Sequence, residues 1–238
     1  MPRIKQPYFD FKQFRVWHDR SALKVCTESC ILGAYVNVQN ATRVLDIGTG
    51  TGLLALMMAQ RNPFLQIDAV ELEADAAAQA AENVEKSPFH EQIKVYHTAI
   101  QDWQPSERYD LIVSNPPFFD HHLLSPNADR NRTLHTQTLP FEDLGASVNQ
   151  LLASKGRLVL LLPPLPTRQI RNLLASYGWY QTQQLQIFQR PYSPIFRLIT
   201  TFEQSTEHRK VETMTIYDEK NSYSDDFRQL LQPYYLIF

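Results

Sequence analysis

Asp46-Ile-Gly-Thr-Gly-Thr-Gly52 closes the apolar run Arg43-Val-Leu-Asp-Ile47 and opens the stretch from Gly52 to Gln60, which reads as a helix. A strand, a glycine-rich turn and a helix thus follow directly on one another. Glycine adopts backbone dihedrals, and tolerates close contacts, that a Cβ would forbid. A strand that ends in such a turn lets the chain reverse sharply and lets its backbone approach a ligand over the strand's carboxyl end.

Working outward, Leu65 to Glu71, Ile93 to His97, Tyr109 to Ser114 and Gly156 to Leu162 are further apolar runs bounded by turn chemistry, and they read as strands. Ala74 to Lys86 and Phe141 to Leu152 read as the helices between them, the first rich in alanine and free of glycine and proline. Near-continuous apolar strands alternating with helices predict an α/β fold: a mostly parallel sheet covered on both faces. After a helix expected over Thr167 to Tyr177, the strand candidates Tyr180 to Phe188 and Ile195 to Phe202 are joined only by Gln189-Arg-Pro-Tyr-Ser-Pro194. That connection is too short for a helical crossover, so the last pair is expected to be an antiparallel hairpin. The count is a seven-stranded, mostly parallel sheet.

At 238 residues with 43% hydrophobic content the chain suffices for one large core, and no linker divides it, so a single domain over 1–238 is expected. The formal charge of −2 decides little, but its distribution is uneven. Met1 to Arg43 holds seven Lys/Arg against three Asp/Glu, whereas Val44 to Asp110 holds four against eleven, which makes the first 20 or so residues a basic arm on an acidic body. Cys26 and Cys30 are too few for a disulfide framework or a zinc set. No apolar signal core is visible, and the longest aliphatic run, Leu158 to Leu162, is far too short to span a bilayer. A cytoplasmic protein without a membrane partner is the expectation.

The acidic Glu71, nineteen residues beyond Gly52 at the end of the second strand, can accept the hydroxyls of a ribose. Dinucleotides and S-adenosylmethionine (SAM) compete for such a site. Two features favour SAM: the third glycine of dinucleotide spacing is missing, and Asn115-Pro-Pro-Phe118 ends the fourth strand. The amide carbonyl of Asn115 and the backbone carbonyl of Pro116 can each accept an N–H of a planar amine, turning its lone pair toward an electrophile. Pro116 and Pro117 have no N–H to donate and stiffen the loop, and Phe118 can stack on an extruded base.

The glycine turn, Glu71 and Asn115-Pro-Pro-Phe118 together resemble the class I SAM-dependent methyltransferases, with their Rossmann-like fold, over roughly residues 40 to 200. The tetrapeptide resembles that of the members that methylate a nitrogen conjugated to a ring or carbonyl. The resemblance implies that Asp46, Gly48 and Gly50 face the methionine part of SAM, Glu71 the ribose and Asp102 the adenine. The ends narrow the family. His18 to Ser29 with Leu32-Gly-Ala34, Asn115-Pro-Pro-Phe-Phe119, Arg132-Thr-Leu-His135 and the segment Tyr217 to Leu231 resemble the bacterial valine-tRNA adenine-N6-methyltransferases, which modify the adenine beside the anticodon. Phe14, Lys24, Val25 and Thr27 match that pattern, and Lys24 and Thr27 are thereby implied on the cofactor side. The chain departs from it at Cys26-Thr27-Glu28, where Gly-Thr-Asp is expected. The same tetrapeptide serves guanine methylation in ribosomal RNA, adenine methylation in DNA and glutamine methylation in release factors, and a SAM-binding scaffold without activity is the non-enzymatic alternative.

RNA binding calls for local cationic and aromatic patches. In the arm, Lys5, Lys12, Arg15, Arg20 and Lys24 interleave with Tyr8, Phe9, Phe11, Phe14 and Trp17, a mixture suited to phosphates and stacked bases. The loop from Asp120 to Pro140 places Arg130, Arg132 and His135 beside the proposed base pocket, with Pro117 and Phe119 at its edge. His121-His122 lacks a spaced partner and sulfonium chemistry needs no metal, so none is expected. The expected macromolecular partner is the anticodon stem-loop of a tRNA, taken by a monomer or weak dimer.

Overall fold

The computed structural model describes residues 6–21, 24–117, 139–205 and 210–238. In chain order its elements are β1 (Tyr8–Asp10), β2 (Arg15–Trp17), α1 (Thr27–Tyr35), β3 (Arg43–Ile47), α2 (Leu53–Ala59), β4 (Gln66–Glu71), α3 (Ala74–Glu85) and β5 (Ile93–His97). A 3-10 turn (Ile100–Asp102), β6 (Tyr109–Ser114), α4 (Phe141–Leu151), β7 (Leu152–Leu162) and α5 (Pro164–Ser176) follow. The chain closes with β8 (Tyr180–Phe188), β9 (Ile195–Glu203), β10 (Lys210–Thr215) and α6 (Asp225–Leu231).

The large sheet has the order β10-β8-β9-β7-β6-β3-β4-β5. From β3 the chain winds outward through β4 to β5, then crosses back to lay β6 on the other side of β3, with β3, β4, β5, β6 and β7 all parallel. That reversal opens a crevice outside the carboxyl ends of β3 and β6, where ligands of open α/β sheets bind. Apolar side chains alternate between two cores. Leu45, Ile47, Val70 and Ile112 face α4 and α5, whereas Val44, Ala69, Leu111 and Val113 face α1 and α2. All seven residues of α2 are buried, because the sheet covers one side and α1 with the C-terminal segment covers the other. The Tyr234 hydroxyl donates to the Met57 carbonyl at 3.0 Å on that outer side.

The expected hairpin is present: β8 and β9 pair antiparallel, and β9 also runs antiparallel to β7. The expected count of seven is corrected to eight, since Lys210–Thr215 adds an edge strand parallel to β8. Lys210-Val-Glu-Thr-Met-Thr215 escapes a reading by apolar pattern because an edge strand has only one flank to bury and carries charges outward. Of its six residues only Met214 is buried. Glu212 accepts from the Tyr35 hydroxyl at 2.7 Å and from Gln183 Nε2 at 2.9 Å, so the edge is fastened by polar contacts.

The N-terminal segment is also corrected. β1 and β2 form a hairpin packed on the body, with Phe11 and Phe14 buried and stacked at 4.6 Å between centroids. Lys12 Nζ donates to the carbonyls of Gln232 at 2.6 Å and Phe238 at 2.8 Å. Arg15 pairs with Asp10, and Arg20 with Glu82. The hairpin turns Phe11, Phe14 and Val16 into the core, while Tyr8 and Trp17 share its other face with Arg15, whose guanidinium lies 4.0 Å from the Tyr8 ring centroid. Phe11 and Phe14 are core, not surfaces for bases.

Candidate active site

The turn after β3 has Gly48, Gly50 and Gly52 at φ of 70°, 59° and 80°. A Cβ added at Gly48 or Gly50 would meet nothing within 4 Å, so the requirement there is the left-handed backbone, and the space beside the turn is open. The amides of Gly48 and Thr49 donate to the Val70 carbonyl at 2.9 and 3.1 Å, which pins the turn to the end of β4. Glu71 completes the brace. Its Oε2 accepts from the Gly50 amide at 2.7 Å, and its Oε1 from the amides of Leu72 at 2.9 Å and Glu73 at 3.0 Å. A carboxylate offers about four acceptor positions, so one remains for a hydroxyl, and a second hydroxyl would have to share with the Gly50 amide or replace it.

Asp46 is fully buried at the end of β3. Its Oδ2 accepts from the Thr49 hydroxyl at 2.6 Å, while its Oδ1 has no hydrogen-bond partner among the described residues. Burial, with the charge of Glu71 added, pushes its carboxyl up to about 7 against the Thr49 bond and the pull of the Ala55 amide. An orphaned buried acceptor beside an open glycine cradle is a site for a cationic ligand group, because a positive partner would restore the ionised form. Asp102 lies one strand further on, exposed in the 3-10 turn after β5. It borders a depression of about 530 Å³ with Tyr96, His97, Thr98 and Trp103. The Thr98 amide donates to the Glu71 carbonyl at 3.0 Å, so Asp46, Glu71 and Asp102 run in order along the carboxyl ends of β3, β4 and β5.

Asn115 is set against the same turn from the other side. Ser114 pairs with Ile47 in register, and its hydroxyl donates to the Ile47 carbonyl at 2.7 Å, which brings the start of the Asn115-Pro116-Pro117 segment beside Gly48. Asn115 is half-buried, Pro116 buried and Pro117 exposed. The Asn115 Nδ2 donates to Ser29 Oγ at 2.8 Å, and Ser29 Oγ in turn lies 3.0 Å from Cys26 Sγ. With its nitrogen thus engaged, the amide presents Oδ1 as an acceptor. Ser29 was not singled out as a site residue in the sequence, where it only closes the family-like segment His18 to Ser29, 86 residues before Asn115.

The same contact carries the amino end of α1 into the site, and with it half-buried Thr27, while Lys24 is exposed just before the helix. Glu28 pairs with Arg197 Nη2 on β9 at 3.5 Å, both side chains about one-fifth exposed (21% and 18%). The lengthened carboxylate at that position therefore fastens α1 to the hairpin. Phe118, Phe119, Arg130, Arg132 and His135, as well as His121 and His122, lie outside the described residues. Among the described residues no His, Cys, Asp or Glu gather in a group of three that could hold a metal ion, and no helix is long and apolar enough to cross a membrane.

Residues 21–139 match the family model of the methyltransferase small domain. A tRNA1(Val) (adenine(37)-N6)-methyltransferase of Dyadobacter fermentans is 43% identical over the whole of both chains. One of Aeromonas hydrophila is 41% identical over 96% of this chain and 97% of its own. Among solved structures, a predicted O-methyltransferase of Agrobacterium tumefaciens superposes with a TM-score of 0.67 at 16% identity, covering 86% of this chain and 95% of that one. A putative class I S-adenosylmethionine-dependent methyltransferase of Listeria monocytogenes gives a TM-score of 0.58 at 11% identity, covering 89% and 71%. These two share the fold. With full-length relatives of one name and the crevice built as described, the chain belongs to the tRNA1(Val) (adenine(37)-N6)-methyltransferase family.

Proposed function

We propose that the protein transfers the methyl group of SAM to the exocyclic N6 amine of adenine 37, beside the anticodon of a valine tRNA. The observation that carries this reading is the Asn115 amide, held by Ser29 beside the open glycine turn with its carbonyl available to a planar amine. SAM, when bound, supplies a sulfonium methyl that is already an activated electrophile.

The residues present fit that group. Asp46, with its orphaned Oδ1, and the cradle at Gly48 and Gly50 suit the charged methionine part, Glu71 the ribose and Asp102 the adenine. Lys24, just before α1, and Thr27, at its start, would flank the cofactor side. The adenine amine is a poor nucleophile because its lone pair is delocalised into the ring. Asn115 Oδ1 and the Pro116 carbonyl each accept one N–H, which turns the lone pair out of conjugation and aims it at the methyl. Pro116 and Pro117 have no N–H with which to extend the β6 ladder, so the strand stops at Ser114 and the chain turns stiffly there. Phe118, with Pro117 and Phe119, would hold the extruded base by stacking, as base-modifying enzymes require. Arg130, Arg132 and His135 would take the RNA backbone around it. Every group named belongs to one chain, so a monomer or weak dimer suffices, and the cytoplasm, where tRNA resides, is the expected compartment.

The test is transfer of labelled methyl from SAM to separate pools of unmodified tRNA, ribosomal RNA, DNA and release factor, followed by nucleoside mass spectrometry. N6-methyladenosine in valine tRNA, lost with Asn115→Ala while SAM binding persists, is the expected result. Label only in another pool would overturn the substrate, and SAM binding without transfer to any pool would favour a scaffold.

A further inference from the structure

The turn between β8 and β9 has no part in the chemistry above, yet it lies on the same rim. β9 runs antiparallel to β7, pairing Leu198 with Leu162, so Gln189–Pro194 projects beyond the carboxyl ends of the parallel strands. β9 and β8 are the second and third strands from β6. At about 4.8 Å per strand, the turn is offset laterally by about 10 to 15 Å from the strand that carries Asn115.

Tyr192 at its tip is 98% exposed and has φ of 62°, a left-handed backbone that bulky residues rarely adopt. The turn is nonetheless well fastened. The Arg190 amide donates to Ser193 Oγ and the Ser193 amide to the Arg190 carbonyl, each at 3.2 Å. The Tyr217 amide donates to the Gln189 carbonyl at 3.0 Å, so the continuation of β10 braces the base of the turn. Pro191 and Pro194 stiffen it further, as Pro116-Pro117 and Pro163-Pro164 stiffen the ends of β6 and β7. Leu165 at the start of α5, three residues after the β7 strand that separates β9 from β6, is 66% exposed.

We propose that Tyr192 and Arg190 form a preorganised stacking platform for a single-stranded nucleotide of the RNA loop that carries the modified base, with the Tyr192 ring under the base and Arg190 at a phosphate. The proposal rests on the tRNA reading given above. An aromatic ring held out in water loses little entropy on receiving a base, and single-stranded loops offer unstacked bases for such contacts. The turn Gln189-Arg-Pro-Tyr-Ser-Pro194 contains one cation and no carboxylate, which suits one base and one phosphate. A protein partner would require a wider contiguous apolar surface than one ring and Leu165 provide.

The experiment measures binding of unmodified valine tRNA and methyl-transfer KM for the native protein and for Tyr192→Ala, Tyr192→Trp and Arg190→Ala. Tyr192→Ala is expected to weaken tRNA binding between about five-fold and a hundred-fold, and Tyr192→Trp to stay within a few-fold of native. Arg190→Ala should lower the slope of log affinity against log salt by about one. SAM affinity and the unfolding midpoint should not change in any of them. Unaltered tRNA affinity in Tyr192→Ala overturns the platform, as does a change in sedimentation showing that the turn mediates self-association. A native protein that methylates no tRNA sinks the proposed function instead, whereas native transfer with unchanged KM in Tyr192→Ala sinks the platform alone.

Discussion

Asp46 makes the site responsive to pH. Its folded carboxyl titrates at about 7, against roughly 3.9 in an unfolded chain. Between those values the ligand-free folded protein binds more protons than the unfolded one, so this residue's contribution to stability falls as pH rises from about 4 to about 7. A cationic ligand group needs the ionised form. SAM affinity should therefore rise between about pH 5.5 and about pH 7.5 in calorimetric titrations, and Asp46→Asn should bind more weakly and lose the dependence. Ser29 acts on the opposite wall of the crevice through Asn115. Removing its hydroxyl leaves the amide of Asn115 free to rotate, a loss on the scale of one hydrogen bond, about 1 kcal/mol. Ser29→Ala is expected to lower kcat by about three- to ten-fold with KM for SAM unchanged, and a larger KM effect would show that Ser29 instead shapes the cofactor site. Asp46 and Glu71 near the ends of their strands, and Asn115 directly after its own, could be singled out in the sequence because a strand end is a local signal. Ser29 and Arg197 were not, because their partners are joined to them only by the packing of α1 against the sheet edge.

At the scale of elements, the turn after β3 and the hairpin β1–β2 make separate demands. Gly50→Ala finds open space for its methyl but a backbone at φ of 59°, which costs an L-residue about 1–2 kcal/mol. The unfolding free energy in urea should drop by about that amount, and SAM binding should weaken as the turn shifts. The N-terminal hairpin is expected to behave as core. Phe11→Ala should destabilise by about 3–5 kcal/mol while RNA affinity of the folded fraction stays native, and a selective loss of RNA binding would restore the arm to the interface. Strand and helix positions in the parallel part could be read because apolar runs and glycine or proline boundaries are local signals. β10 could not, since what makes it a strand is the pairing offered by β8, a segment more than twenty residues earlier.

Across the whole molecule, the two ends of the chain close over α2. Lys12 donates to carbonyls of Gln232 and Phe238, Phe11 bridges to Tyr235, and the Tyr234 hydroxyl reaches Met57. Deleting residues 233–238 removes two buried tyrosines, Tyr234 and Tyr235, each contributing about 1.5–3 kcal/mol by burial. The deletion should lower stability by about 3–6 kcal/mol in chemical denaturation, and a loss under about 1 kcal/mol would mean that the terminal segment merely rests on α2. The alternation of strands and helices, the hairpin at the end of the sheet, the glycine turn and the Asn115-Pro116-Pro117 turn could be read from the amino-acid order alone, because each is specified by neighbours along the chain. Folding in three dimensions was needed to place Phe11 and Phe14 in the core, to add an eighth strand to the sheet, to bring Ser29 to Asn115 and to project Tyr192 beyond the carboxyl ends of the strands. Those facts depend on which surfaces the fold brings together, and burial and hydrogen bonding between distant segments leave no periodicity in the sequence from which to read them.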